Sequence, residues 1–286
     1  MSQFLKRHQN GTNFVRDKQV LYTQTDLTSQ AMQLYSKKYG QHGPNLIILH
    51  GLFGMSDNWH NIAGKLSESF TVYTIDLRNH GQSPHSSEMN YPIMAADISE
   101  FMEQHQIQKT SVIGHSMGGK AAMMFANAYP DKIDQLVVVD ISPEAYPPGH
   151  DKYFAAMRNI NFNAPSRKEI EMQLAQTITN QGEMLFLLKN LYRTETGNYA
   201  LKLNLDALEN HYSEIRGAVP LQGNVNCETL FISGEHSKYI QEHDIIKIKT
   251  IFTNTTFTTI SGAGHWVHAD QPLQFIETVK NFIRTP

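Results

Sequence analysis

The chain of 286 residues has a single cysteine and no long hydrophobic run. Because Cys227 has no second cysteine to pair with, an internal disulfide is excluded, and nothing in the sequence requires an oxidising compartment. We expect Cys227 to be a small buried hydrophobic residue. Residues 1–20 lack an apolar stretch of signal-peptide length, and no later segment approaches the length of a membrane span. These absences predict a soluble, cytoplasmic protein.

The sequence also lacks an excess of charge of either sign. Its formal net charge is −3, and Lys and Arg form no basic stripe, so nucleic-acid binding has no electrostatic support. None of the 14 histidines falls in an HExxH spacing, and we therefore expect no metal site. Hydrophobic residues make up 40% of the chain and charged residues 18%, which is the balance of a folded globular protein.

Short apolar runs that alternate with helical patterns cover most of the chain. Residues 45–50 (NLIILH) and 70–76 (FTVYTID) are continuous apolar runs, as expected of strands covered on both faces. Two earlier segments, 21–26 and 31–40, alternate between apolar and polar residues and are interpreted as an N-terminal hairpin. The alternation of strands and helices predicts an α/β fold with a mostly parallel sheet of about eight strands, flanked by helices. The other predicted strands are residues 110–115, 135–140, 228–233 and 255–261, and helical patterns include 92–107 and 271–283.

This alternation is interrupted once. Between Asp140 and Glu228 the sequence shows helical patterns and no convincing strand. Because the strand pattern resumes afterwards, we interpret residues 143–222 as a helical cap inserted into a core formed by residues 1–142 and 223–286. The helical patterns of the cap cover residues 152–160, 166–178, 183–193 and 203–215.

The segment VIGHSMGGKAAM (112–123) allows two interpretations. Its G-x-S-x-G motif, between a predicted strand and a predicted helix, is typical of a nucleophile elbow that presents Ser116. Extended to Lys120, the same segment has most of a P-loop, in which the lysine would bind phosphate. Ala121 stands where a P-loop needs a Ser or Thr hydroxyl for Mg²⁺, and we therefore favour the elbow.

A serine hydroxyl becomes an effective nucleophile when a histidine takes its proton and a carboxylate orients that histidine. After an elbow the histidine comes last in the chain, and His265 stands in GAGHWVH, just past the last predicted strand. An oxyanion hole needs one N–H from the residue after the serine, here Met117, and one from an early strand–helix loop. HGLFG (50–54) supplies that loop, with Leu52 as the expected donor.

Five motifs follow one another along the chain: HGLFG (50–54), DLRNHGQS (76–83), GHSMGGK (114–120), VVVDISP (137–143) and GAGHWVHAD (262–270). In this order and spacing, the sequence from about Leu46 onward resembles the α/β-hydrolase family. Within that family it is similar to the small bacterial esterases of the YbfF type and their mitochondrial abhydrolase-domain relatives. The resemblance implies an α/β-hydrolase fold, hydrolysis of acyl esters and no cofactor.

The acid of the predicted triad departs from the common pattern of this family. Most relatives carry an aspartate after the strand that is here residues 228–233, in a G-x-x-D context, whereas this chain has Ser237 at that position. We favour Asp140, which ends the preceding strand at the carboxyl edge of the sheet, where open α/β sheets bind ligands. Asp206 in the cap and Glu235 are the alternatives, with Ser237 as an auxiliary residue that can hydrogen-bond His265.

Together these residues predict a serine carboxylesterase or thioesterase that works through an acyl-enzyme on a small-molecule acyl ester or thioester, acyl-CoA included. One alternative is a C–C bond hydrolase or cofactor-free lyase of the same superfamily, because such enzymes can use the same serine and histidine. The other is a non-catalytic binding protein that has kept the fold, although the presence of Ser116 and His265 argues against it.

Overall fold

A computed structural model describes residues 31–283 of the chain. Within this range seven strands form one sheet, and two short strands, β6 and β7, form a separate hairpin. The strands, in chain order, are β1 (Ser36–Tyr39), β2 (Asn45–Leu49), β3 (Thr71–Ile75), β4 (Thr110–His115), β5 (Ile133–Val139), β6 (Leu191–Arg193), β7 (Tyr199–Leu201), β8 (Glu228–Gly234) and β9 (Thr255–Ile260).

The strand order in the main sheet is β1-β3-β2-β4-β5-β8-β9. Among the strands within residues 31–283, only β1 is antiparallel to its neighbour, and every other neighbouring pair in this sheet is parallel. The prediction of a mostly parallel α/β sheet is therefore confirmed. The predicted strand at residues 21–26, which would be the eighth, lies outside the described residues.

Eleven α-helices connect or cover these strands within residues 31–283. Local capping explains several of their boundaries. Asn90 accepts a hydrogen bond from the Ile93 amide (2.9 Å) at the start of α2, and Pro92 follows in the first helical turn. The helices are α1 (His60–Leu66), α2 (Tyr91–Gln104), α3 (Met117–Ala128), α4 (Asp151–Arg158), α5 (Arg167–Ala175), α6 (Gln181–Leu188), α7 (Leu205–Asn210), α8 (Tyr212–Arg216), α9 (Glu242–Ile251), α10 (Val267–Asp270) and α11 (Pro272–Phe282).

Helices cover both faces of the sheet. Because neighbouring residues of a strand point to opposite faces, each strand contributes to two apolar cores. In β2, Ile47 and Leu49 belong to the apolar core that α2 and α3 complete on one face. Leu46 and Ile48 belong to a second core on the other face, which α1 and α11 complete. The continuous apolar runs of the sequence therefore correspond to strands covered from both sides.

The segment between β5 and β8 contains helices α4–α8 and the hairpin β6–β7. The prediction of helix alone was wrong for residues 191–201, where β6 and β7 pair antiparallel. The turn between them depends on Gly197 at φ 86°, a conformation that glycine adopts without strain. The TETGN sequence (194–198) was the available signal for this hairpin. The exact boundaries of the cap, 143 and 222, stay a prediction.

No helix in the described part of the chain is long and apolar enough to cross a membrane. A cytoplasmic location stays a prediction. Cys227 is half-buried at the edge of the core, and burial raises the pKa of its thiol.

Candidate active site

Ser116 lies in the sharp turn between β4 and α3. Its backbone has φ 53° and ψ −121°, a strained conformation for a residue other than glycine. The turn is possible because small residues surround it: a Cβ on Gly114 would lie 2.3 Å from the Gly118 carbonyl oxygen. A Cβ on Gly118 would lie 2.4 Å from the His50 carbonyl oxygen, so the start of α3 packs directly against the end of β2. This geometry is that of a nucleophile elbow.

The loop after β2 lies against the serine. A Cβ on Gly51 would be 3.2 Å from the Cβ of Ser116, which leaves no room for a side chain between them. Leu52 follows in this loop, and Met117 is the first residue of α3, where an amide N–H has no intrahelical acceptor. Both residues line the same cavity as Ser116. The two predicted oxyanion donors are therefore on adjacent segments beside the serine.

Two buried histidines support this loop. The imidazole of His50 bonds to the Gly51 carbonyl through Nδ1 (2.8 Å) and accepts from the Leu77 amide through Nε2 (3.0 Å). His80 bonds to the Arg78 carbonyl (2.8 Å) and accepts from the Phe53 amide (3.3 Å). Burial lowers the pKa of His50 to about 4 and that of His80 to about 3, so both are neutral at neutral pH. They shape the loop through its backbone.

His265 lies in the loop after β9, beside the carboxyl end of β8. This approach requires Gly234, because a Cβ there would be 2.2 Å from the Gly264 carbonyl oxygen. The Nδ1 atom of His265 is 2.7 Å from Oδ2 of Asp140, whose side chain is fully buried, whereas 22% of the His265 side chain is exposed. The arrangement places a carboxylate behind the ring and leaves part of the ring accessible.

Asp140 is the residue directly after β5, at a positive φ of 52°. Its Oδ1 accepts from the Gly234 amide (3.2 Å), and its Oδ2 accepts from the Ser237 hydroxyl as well as meeting His265. Ser237 therefore bonds the carboxylate and not the imidazole. With both oxygens accepting hydrogen bonds, the carboxylate is held in an orientation that lets it accept from Nδ1 of the histidine as well.

Neither alternative carboxylate reaches His265. Asp206 lies in α7 of the cap, where its side chain is 74% exposed and pairs with Arg158 at 2.6 Å. Glu235 accepts from the Gly262 amide (2.7 Å) and the Ser261 hydroxyl (2.9 Å) at the protein surface. Among these three carboxylates, the fold brings Asp140 alone to the imidazole.

Tyr239 and His115 hold His265 through two contacts that were not predicted. Tyr239 stacks on it with ring centroids 3.9 Å apart and an angle of 19° between the planes. On another side, Nε2 of His115 is 2.8 Å from the His265 carbonyl oxygen. Burial lowers the pKa of His115 well below its usual value, so this histidine is a neutral donor. Tyr239 and His115 come from segments distant in sequence from His265. His115 stands beside the nucleophile in the GHSMGGK motif, but no local pattern indicates that either residue contacts His265.

Lys120, the phosphate ligand of the P-loop alternative, is buried. Its ammonium group donates to the carbonyl oxygens of Glu144 (2.6 Å) and Gly217 and approaches that of Arg216 (3.5 Å). It also lies 4.9 Å from the centre of the Tyr146 ring. Burial lowers the pKa of Lys120 to about 7, and the negative charge of Glu144 partly opposes this shift. These acceptors lie on both connections of the cap. Because they already bind the ammonium group, Lys120 is unavailable as a phosphate ligand, which argues against a P-loop.

A cavity of about 730 Å³ opens above Ser116 and His265, between the sheet and the cap. Asn190 of the cap connects the two, since its side chain donates to the Phe53 carbonyl (2.9 Å). Phe186 and Trp266 have ring centroids 5.7 Å apart and form part of an apolar wall. The cavity therefore combines a reactive polar floor with apolar sides. Other lining residues include Leu187, His150, Tyr153, Tyr212 and Ile215.

Comparison with known proteins agrees with this geometry. A family model described as the alpha/beta hydrolase fold matches residues 44–272. The chain belongs to the α/β-hydrolase family. Its relatives with assigned names include esterases and lipases, which puts the chain among the ester hydrolases of that family.

Two relatives and one solved structure illustrate the similarity. The sn-1-specific diacylglycerol lipase ABHD11 of Xenopus laevis is 36% identical over 91% of this chain and 88% of its own length. Esterase YbfF of Escherichia coli is 35% identical over 85% of this chain and 94% of its own length. The solved structure of a marine microorganism esterase superposes with a TM-score of 0.87, at 44% identity, and covers 88% of this chain and all of its own.

Proposed function

We propose that the protein is a serine hydrolase that cleaves small acyl esters, and thioesters as a second class, through an acyl-enzyme. The observation that carries this proposal is the bond of 2.7 Å between His265 and the buried Asp140, at the cavity that Ser116 also lines. A carboxylate–imidazole pair beside a serine in a strained elbow is the arrangement that activates a hydroxyl nucleophile.

The groups of the site then act in sequence. The hydroxyl of Ser116 attacks the ester carbonyl while His265 takes its proton through Nε2. Asp140 holds the proton on Nδ1 and stabilises the imidazolium that forms. The Leu52 and Met117 amides donate to the developing oxyanion. His265 next protonates the leaving alcohol or thiol, and the acyl-enzyme is hydrolysed when His265 deprotonates a water molecule.

The walls of the cavity support an apolar acyl group as the preferred substrate part. Phe186, Leu187 and Trp266 line it, and apolar sides exclude water from the acylation step. The relatives named as esterases and as a diacylglycerol lipase act, by those names, on acyl esters. We therefore propose an uncharged carboxylic ester with an apolar acyl chain as the substrate class.

The test is hydrolysis of p-nitrophenyl butyrate by the wild type and three variants. Ser116→Ala should abolish turnover, and Asp140→Asn should lower kcat by about 10³- to 10⁴-fold, because the asparagine amide stabilises the wrong tautomer of His265. Asp206→Asn is the matched control, since that carboxylate is exposed and paired with Arg158, and it should keep wild-type kcat.

Circular dichroism and thermal unfolding establish that each variant is folded. Loss of activity in Asp206→Asn together with retention in Asp140→Asn would refute the assignment of the acid. A folded wild type that hydrolyses neither p-nitrophenyl butyrate nor butyryl-CoA would refute the esterase proposal itself.

A further inference from the structure

His150 has no role in the mechanism above, although it lies at the active-site cavity. It precedes α4, at the first turn of the cap, and lines the same cavity as Ser116 and His265. Its ring is 6.0 Å from the Phe53 ring of the oxyanion loop and 5.7 Å from the Tyr153 ring, centroid to centroid. This position puts an imidazole on the cap, facing the loop that would hold the reacting carbonyl.

Hydrogen bonds to Tyr212 fix the tautomer of this imidazole. The Tyr212 hydroxyl oxygen is 3.1 Å from the amide nitrogens of both Gly149 and His150, and each of them can only donate. The same oxygen is 2.7 Å from Nδ1 of His150. Since the two amides occupy the lone pairs of the phenol, its proton goes to Nδ1, and the imidazole accepts there.

A neutral imidazole that accepts through Nδ1 carries its proton on Nε2. Burial lowers the pKa of His150 to about 4, so the ring is neutral at neutral pH. Among the residues that the structure describes, no protein atom accepts a hydrogen bond from this Nε2–H. The cap therefore holds an oriented donor at the cavity, and that donor has no partner among residues 31–283.

We propose that His150 is a substrate-binding residue whose Nε2–H donates to a second oxygen atom of the substrate, outside the scissile ester group. The preferred substrates are then acyl esters that carry a hydroxyl, ether or carbonyl oxygen in their acyl or alcohol part, in preference to plain hydrocarbon esters. This inference rests on the proposed esterase function, and it adds a reason for selectivity that the apolar walls cannot supply.

Two pairs of esters of equal length test the proposal, each differing by one oxygen in place of a methylene. For the acyl part, p-nitrophenyl 3-methoxypropanoate is compared with p-nitrophenyl pentanoate. For the alcohol part, 2-methoxyethyl butanoate is compared with butyl butanoate. The readout is the ratio of kcat/KM within a pair, compared between wild type and variant, because intrinsic differences in ester reactivity then cancel.

His150→Phe keeps an aromatic ring and removes the donor, and it should lower the ratio for one of the two pairs by about two- to twelvefold, the range of one neutral hydrogen bond. His150→Gln, whose amide can donate from near the Nε2 position, should keep most of the wild-type ratio. The matched control is His211→Phe, also in the cap, where the imidazole bonds the Ser87 carbonyl (2.8 Å) and does not line the cavity. That variant should leave both ratios unchanged.

If folded His150→Phe retains the wild-type ratio for both pairs, the proposal is wrong. Should this variant not fold, His150→Leu, which also lacks the donor, replaces it, and an unchanged ratio again overturns the proposal. The two levels of inference stay separable. Absence of wild-type activity on p-nitrophenyl pentanoate contradicts the esterase function, whereas activity with insensitive ratios contradicts the role of His150 alone.

Discussion

Replacement of Lys120 by methionine should loosen the attachment of the cap to the helix that follows the nucleophile. The ammonium group binds the carbonyl oxygens of Glu144 and Gly217 and approaches that of Arg216, and these residues lie on the two chain connections that enter and leave the cap. Methionine fills similar volume but can donate to none of them. The substitution therefore removes one side chain that holds both connections.

The magnitude follows from the contacts. Hydrogen bonds from a charged donor contribute about 1.5–3 kcal/mol each, and carbonyl oxygens left buried without a donor cost about 1–3 kcal/mol. Against this loss, the variant no longer has to desolvate a buried ammonium group, which offsets several kcal/mol. We expect a net loss of about 2–4 kcal/mol in the free energy of unfolding, within the range of a disrupted buried polar network. Because Glu144 and Arg216 line the cavity, kcat/KM for p-nitrophenyl butyrate should also fall, on the order of tenfold.

Urea unfolding measures the first quantity and initial rates measure the second. Lys65→Met is the matched control. That lysine, on α1, is 66% exposed, and its ion pair with Glu68 is long at 3.6 Å, so its loss should change stability by less than about 0.5 kcal/mol. If Lys120→Met has the stability and activity of the control, the carbonyl contacts do not hold the cap, and the reasoning fails.

Three further predictions concern the same site. Ser237→Ala removes a donor to Asp140 Oδ2 and should lower kcat about tenfold with little change in KM, measured with p-nitrophenyl butyrate; an unchanged kcat would show that this donor is dispensable. Gly51→Ala adds a Cβ 3.0 Å from His115 Nδ1 and 3.2 Å from Ser116 Cβ, so kcat should fall by an order of magnitude or more while the protein remains folded; wild-type kcat would contradict the close approach of the loop. Burial lowers the pKa of His268 to about 3. Between that pH and about 6.5, the unfolded chain binds a proton at this residue and the folded chain does not. His268 therefore lowers the free energy of unfolding by up to about 1.4 kcal/mol for each pH unit that the pH falls. His268→Phe should therefore flatten the loss of stability between pH 6.5 and 5 in urea unfolding, and an unaltered slope would refute the linkage.

Much of the fold was readable from local sequence. Buried parallel strands are continuous apolar runs, and β4 was predicted with the bounds that the structure has, 110–115. The elbow was also local, since glycines at positions 114 and 118 are needed where a strand and a helix meet at a serine. The β6–β7 hairpin was missed because its strands have three residues each, too short for an alternating pattern to show.

The surroundings of the imidazole could not be read in this way. Three carboxylates were compatible with the spacing along the chain. The packing of β5 beside β8 brings the side-chain carboxylate of Asp140 to His265, whereas α7 places Asp206 at the surface. The sequence contains residue types and their separation along the chain, and these determine strands, helices and the elbow. Contacts between segments about a hundred residues apart, such as Lys120 with Gly217, depend on how the elements pack, and that is decided by the tertiary structure.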